Sequence, residues 1–292
     1  MSITTAVIAV AGYGTRLLPA TKAVPKEMLP IVDRPCIQHL VEEAANSGIT
    51  DVILITRPGS EAIDQHFSES PALEAHLAEQ GKEALLEIVK RVSSLANVCS
   101  VIQGADLPYG NGSPILAAKD HLTPGEPFVY MFGDDLVLSE VPAVKQLMDT
   151  YDAHRPAAVV AVQEVPEEMT KAYGIVEPKP GTDPMEMKSI IEKPSAKEAP
   201  SRLAQFGRFV LSYKVVEILE QTAVGKGNEL WLTDAIARLC KEDRVLVQEV
   251  TGTWYTTGDH YQLLVANIEY ALADPEIRPR LAAYLKSKSA SL

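Results

Sequence analysis

The 292-residue chain is short of basic residues, short of cysteine and without a long apolar run. Its 27 Lys and Arg are outnumbered by 39 Asp and Glu, for a formal net charge of −12. A nucleic acid or an anionic membrane needs a dense basic face, so neither is expected as a partner. A small anionic substrate needs only a few local cations and stays open. The three cysteines, Cys36, Cys99 and Cys240, are widely spaced, odd in number and form no CxxC, which argues against a disulfide framework or a zinc site. No apolar stretch reaches the roughly 18 residues that span a bilayer. The amino terminus, MSITTAVIAVAG, carries no basic stretch ahead of its apolar residues and reads as a first strand rather than a secretory leader. A reducing cytoplasm is the expected compartment.

What is present is a core-forming chain with 46% hydrophobic residues. Residues 3–10 (ITTAVIAV) and 51–56 (DVILIT) are β-branched, apolar strands of the kind buried on both faces. Between them, PCIQHLVEEAANSG from Pro35 has helical spacing, an opening proline and a closing glycine. The three form a βαβ unit, which implies parallel strands joined by a right-handed crossover. Residues 71–96 read as a helical insertion. Further strands are expected at 99–104, 127–133, 157–165 and 244–250, with a strand-rich stretch at 173–212. Helices are expected at 213–222 and 231–241, and in a tail from Asp259 that breaks near Asp274–Pro275. The expected class is α/β, a Rossmann-like mixed, mainly parallel sheet flanked by helices, with a helical carboxyl-terminal tail. A boundary at 258/259 divides a main domain from the extension 259–292.

The segment after the first strand carries the chemistry. Gly12 and Gly14 can turn backbone N–H groups toward phosphate oxygens. Arg16 adds a planar guanidinium, and Lys22 and Lys26 add compact ammonium groups. A GxG alone is more often a surface turn with solvated charges. The spacing is not that of a Walker loop, and the third glycine of a dinucleotide fingerprint is missing. The full string, GYGTRLLPATKAVPKEMLPIVDRP, is far more specific. It strongly resembles the signature of the sugar-1-phosphate nucleotidylyltransferases, and its TKAVPKEMLPIVD portion is similar to their uridylyltransferase branch. FGDDLV, YGIVEP, IIEKPSAKEAPSRLAQFGRFVL and LTDAIARL follow in family order along nearly the whole chain.

The resemblance implies the nucleotide-diphospho-sugar transferase fold. It also implies a reaction of UTP with glucose 1-phosphate, a Mg²⁺ cofactor and a homodimer or homotetramer. Carried over residue by residue, it gives Ala11, Gly12, Gly14, Thr15, Gln103 and Gly110 to the nucleotide and Gly174, Glu192 and Lys193 to the sugar phosphate. Arg16, Lys26, Asp134 and Lys193 are the implied catalytic set, with Asp134 on the metal. Taken without the family, Asp134-Asp135 after a buried strand either binds a hard cation or caps a turn, and Glu192-Lys193-Pro194 is a solvated corner.

Three places depart from the family pattern. Ser113-Pro114 stands where the base-side loop carries His-Ala. Thr256 and His260 stand where an Asp and a Lys are usual. Trp231 replaces a Gln. A relative with another base or sugar, or a weakly active regulatory one, is the alternative these changes leave open.

Overall fold

The computed structural model describes residues 2–289. Met1 and residues 290–292, the last of the expected extension, lie outside the described residues. A nine-stranded sheet organises the chain. At its centre, Thr5–Ala9 lies between Asp51–Thr56 and Phe128–Phe132, parallel to both, and Asn97–Ile102 adds in parallel beyond Asp51–Thr56. The other half turns on Leu203–Leu211, which runs antiparallel to Phe128–Phe132 and to Ala158–Glu164. Gly174–Pro178 pairs with Leu203–Leu211 at Ala204 and carries the antiparallel strand Met187–Glu192 at the sheet edge. Val245–Glu249 lies parallel to Ala158–Glu164. The fold is thus mixed α/β, with parallel strands at its centre.

The period-2 pattern of the strands explains why helices cover both faces. Ala6, Ile8, Val52, Leu54, Val129 and Met131 enter one apolar core, and Val7, Ile53, Ile55, Phe128 and Tyr130 enter the other. The helix Cys36–Asn46 follows the expected span. Pro35 sits just ahead of its first turn rather than within it, and Gly48, at φ 97°, lies just past its end. The expected insertion at 71–96 is two helices, Pro71–Glu79 and Glu83–Ser93, because Gly81 turns left-handed between them. The tail breaks where expected, with helices His260–Ala273 and Arg278–Ser289 on either side of Asp274. The helices Glu61–Phe67 and Ala143–His154 were not foreseen, nor were the two-stranded pairs of Asp135–Leu138 with Thr253–Thr256 and of Pro30–Ile31 with Arg34–Pro35. No helix among the described residues is long and apolar enough to cross a membrane.

Candidate active site

Parallel strands present their carboxyl ends on one side of the sheet, and the loops that follow them meet there. The loop after Ala9 is held by its own residues. Gly14 has φ 63°, and a Cβ there would sit 3.0 Å from the Lys26 side chain. Thr21 donates its hydroxyl to the Gly14 carbonyl at 2.8 Å, and buried Leu17 anchors the underside. Prolines 19 and 25 limit the segment to three single 3₁₀ turns, Thr15–Leu17, Ala20–Lys22 and Lys26–Met28. Arg16 and Lys22 are exposed, whereas Lys26 is half-buried.

Lys26 reaches the next loop. Its Nζ lies 2.7 Å from Asp134 Oδ2, across 108 residues of sequence. Gly133 N–H donates to the Ala9 carbonyl at 3.0 Å, which joins this loop to the end of the first strand. Burial alone would raise the Asp134 carboxyl, but the adjacent Lys26 ammonium and then Arg16 overcome it and hold Asp134 ionised. Burial likewise opposes the charge on Lys26, and Asp134 and Glu27 outweigh it. Gly258 leaves room for the Arg16 guanidinium: a Cβ there would lie 2.8 Å from Arg16 and 3.4 Å from Asp134 Oδ2.

A cleft of about 460 Å³ runs from Arg16 and Asp134 past Thr256 to Gly174, Glu192, Lys193 and Trp231. Strand register builds its far end, because Glu192 is opposite Gly174. Glu192 accepts the Thr233 hydroxyl at 2.6 Å and lies 3.6 Å from Lys193 Nζ. Lys193 adopts φ 46° and packs its ammonium 4.2 Å from the Trp231 ring centre. Of the residues expected in the site, Arg16, Asp134, Gly174, Glu192 and Lys193 line this cleft, and Lys26 joins it through its ion pair. Ala11, Gly12, Gly14 and Thr15 form the loop beside it. Gln103 follows its strand and donates N–H to the Thr56 carbonyl at 2.8 Å, away from the lining residues. Gly110, at φ 133°, has the Leu230 backbone so close that a Cβ would lie 2.3 Å from the Leu230 oxygen.

The departures from the family pattern, and Asn111 beside the first of them, find physical places. Asn111 accepts the Leu232 N–H at 2.8 Å on its side-chain oxygen, at the start of the helix Leu232–Glu242. Ser113 is fully buried, with its hydroxyl on the Pro108 carbonyl, and Pro114 opens the helix Ser113–Ala117. Ser113 therefore shapes the loop and presents no side chain to a ligand. Thr256 pairs with Asp135 across the small sheet, beside Asp134. His260 is exposed at the start of a helix whose cap, Asp259, accepts from Gln262 N–H at 3.0 Å.

Several residues of the site escaped the sequence reading. Glu27 is 1% exposed, and neither carboxylate oxygen has a hydrogen-bond partner. Asp135 accepts from Gly207 N–H and the Trp254 indole, both at 2.8 Å, and burial followed by the charge of Asp134 raises its carboxyl to about 6. Arg57 stacks on Tyr13 of the first loop, 4.8 Å from its ring centre. Thr233 lies in LTDAIARL, which marked it as part of a pattern but gave no hint of its bond to Glu192.

No group of three or more His, Cys, Asp or Glu arranged to hold a metal occurs among the described residues. Asp134, which the Lys26 ammonium holds ionised, nonetheless suits Mg²⁺, which takes one or two carboxylates together with phosphate and water oxygens.

A family model for nucleotidyl transferases matches residues 5–272. The chain is 42% identical to a UTP–glucose-1-phosphate uridylyltransferase of Bacillus subtilis, over 96% of this chain and 95% of that protein. Among solved structures it resembles a UDP-glucose pyrophosphorylase complexed with UDP-glucose, with a TM-score of 0.83 and 32% identity, covering 93% of this chain and 100% of that one. It also resembles a UTP-bound enzyme of the same kind from Acinetobacter baumannii, with a TM-score of 0.87 and 33% identity over 97% and 98% of the two chains.

Proposed function

The chain belongs to the nucleotidyl transferase family, and from that premise we propose that it joins UTP and glucose 1-phosphate into UDP-glucose, releasing pyrophosphate. The observation that carries the reading is the single cleft on which Arg16, Asp134, Glu192 and Lys193 converge. A sugar phosphate oxygen attacks the α-phosphorus of UTP, a new P–O bond forms, and the bond to the β-phosphate bridging oxygen breaks in line. The attacking group is already an anion, so no protein nucleophile is required. The obstacle is repulsion: two unit charges about 4 Å apart interact by roughly 4 kcal/mol at a surface-like dielectric.

Arg16 and Lys26 offset the charge of the triphosphate, and Lys193 offsets that of the sugar phosphate and holds it in line. Glu192 and the Gly174 backbone take the sugar hydroxyls. Ala11, Gly12, Gly14 and Thr15 cradle phosphates, while Gln103 and Gly110 read the base. Nucleotidyl transferases generally use a divalent metal; here Asp134 would hold Mg²⁺, which when bound neutralises phosphate charge.

The catalytic residues are assigned to a domain spanning 1–258, with 259–292 as an extension whose Asp259 and Gln262 also line the cleft. Tyr261, Leu264 and Tyr284 are exposed on the tail helices and supply apolar surface for a homodimer or homotetramer. The free thiols of Cys36, Cys99 and Cys240 support a reducing, cytoplasmic setting. Pyrophosphate release from UTP and glucose 1-phosphate with Mg²⁺ tests the reaction, and no release with any nucleotide–sugar phosphate pair overturns it. Trp231 at the sugar end favours one second reading, a transferase for another sugar. Assay of several sugar 1-phosphates against five nucleoside triphosphates separates the two.

A further inference from the structure

Lys193 stands between two groups that could hold its charge. Glu192 Oε1 is 3.6 Å from the ammonium, and the face of Trp231 is 4.2 Å from it. The two holders differ chemically. A carboxylate neutralises an ammonium and removes its field from the cleft. An indole face attracts the cation through its quadrupole and leaves the net charge intact. The carboxylate is also drawn elsewhere, since Glu192 Oε2 accepts the Thr233 hydroxyl at 2.6 Å.

The ring is fixed better than the cation it faces. Trp231 is 8% exposed, and its indole N–H donates to the Lys226 carbonyl at 2.9 Å. The next residue, Leu232, donates its N–H to Asn111 Oδ1, so the backbone that carries the ring is tied to another residue lining the cleft. The Lys193 side chain is 40% exposed and flexible, but its backbone is pinned: its N–H donates to the Tyr173 carbonyl at 3.0 Å, at φ 46°. A left-handed backbone is costly for lysine and persists only where surrounding bonds enforce it. Here it turns the chain off the strand end at the ring.

We propose that Trp231 is a positioning residue for the sugar phosphate: its indole face holds the Lys193 ammonium in the cleft, so that its contact with Glu192 stays a loose 3.6 Å ion pair beyond hydrogen-bond length. The proposal rests on the transferase reading above and adds a residue that tunes use of the phosphorylated sugar. Replacing the ring lets Lys193 collapse onto Glu192.

Steady-state kinetics of the full chain with UTP and glucose 1-phosphate test this. Trp231→Leu is expected to raise KM for the sugar phosphate roughly 10-fold while kcat and the KM for UTP change less than about 3-fold, and Trp231→Phe to restore most of the loss. An unchanged sugar phosphate KM in Trp231→Leu, or a parallel rise for UTP, overturns the proposal. A second measurement needs no folded variant. Ring current should displace one lysine ε-methylene proton resonance upfield in the wild-type protein, and absence of any such signal refutes the packing. If wild type turns over no substrate pair, the transferase reading fails while the resonance still reports on Lys193 and Trp231.

Discussion

The two ends of the cleft hold their cations differently. At the first loop, Lys26 is paired with Asp134 at 2.7 Å, with only 15% and 22% of the side chains exposed. At the far end, the Lys193 side chain is 40% exposed, rests on a ring 4.2 Å away and makes only a loose 3.6 Å ion pair with Glu192. A buried pair is costly to break, because either partner alone is left charged in a poor solvent. A half-exposed ammonium loses little when no ligand holds it. Substitutions at the first end therefore disturb both protein and ligand, whereas those at the far end act on ligand alone.

The largest expected effect comes from Asp134→Asn. It removes the proposed metal ligand and the charge that keeps Lys26 in place, and pyrophosphate release should fall by about 10³-fold. Retention of a tenth of the rate would break the comparison, since the buried pair would then be structural only. Lys193→Ala should be milder and one-sided: affinity for glucose 1-phosphate drops roughly 10- to 100-fold, the range of a lost charge-assisted hydrogen bond. Calorimetry should find UTP binding within about 2-fold of wild type, and equal losses of both would contradict the division of roles. Thr256→Asp sharpens the first end. A carboxylate opposite Asp135 and beside Asp134 adds like charge, so the melting temperature should fall in EDTA and recover with Mg²⁺. A melting temperature indifferent to Mg²⁺ would mean that position 256 does not face the cation.

Sheet and loop were legible in the sequence because their signals are local. Residues 51–56 carry a continuous apolar run, and the expected strand there is the observed one. The first loop announced itself through glycines, prolines and cations within 20 residues. The missed residues depend on distant chain. Glu27 looks like an ordinary surface glutamate until Gly133, more than a hundred positions away, packs over it; a Cβ on Gly133 would lie 3.3 Å from Glu27 Cγ. Arg208 gave a better hint, as one charge within FGRFVL. Only the tertiary structure shows it fully buried and bonded to Glu43, Gly207 and the Asp135 carbonyl. The single turn at Gly81 that divides residues 71–96 was hidden by favourable helix composition on both sides.

Glu27 also gives the smallest test of the comparison, because it concerns protein stability and not ligand. It lies 3.7 Å from Lys26 Nζ, beneath the ion pair, with no hydrogen-bond donor on either oxygen. Burial pushes its carboxyl up from 4.5 to about 7, against the partial opposition of Lys26. The folded protein therefore holds this proton more tightly than the unfolded chain. The associated stability is fully present below pH 4.5 and is lost as pH rises through about 7. Glu27→Gln keeps the shape and removes the titration. Between about pH 5 and 8, wild type should lose roughly 1–3 kcal/mol relative to the variant, read as a widening gap in melting temperature. A gap that stays constant over that range would show that the fold does not raise the Glu27 carboxyl above its unfolded value, and would overturn the reading of one ion pair over a neutral acid.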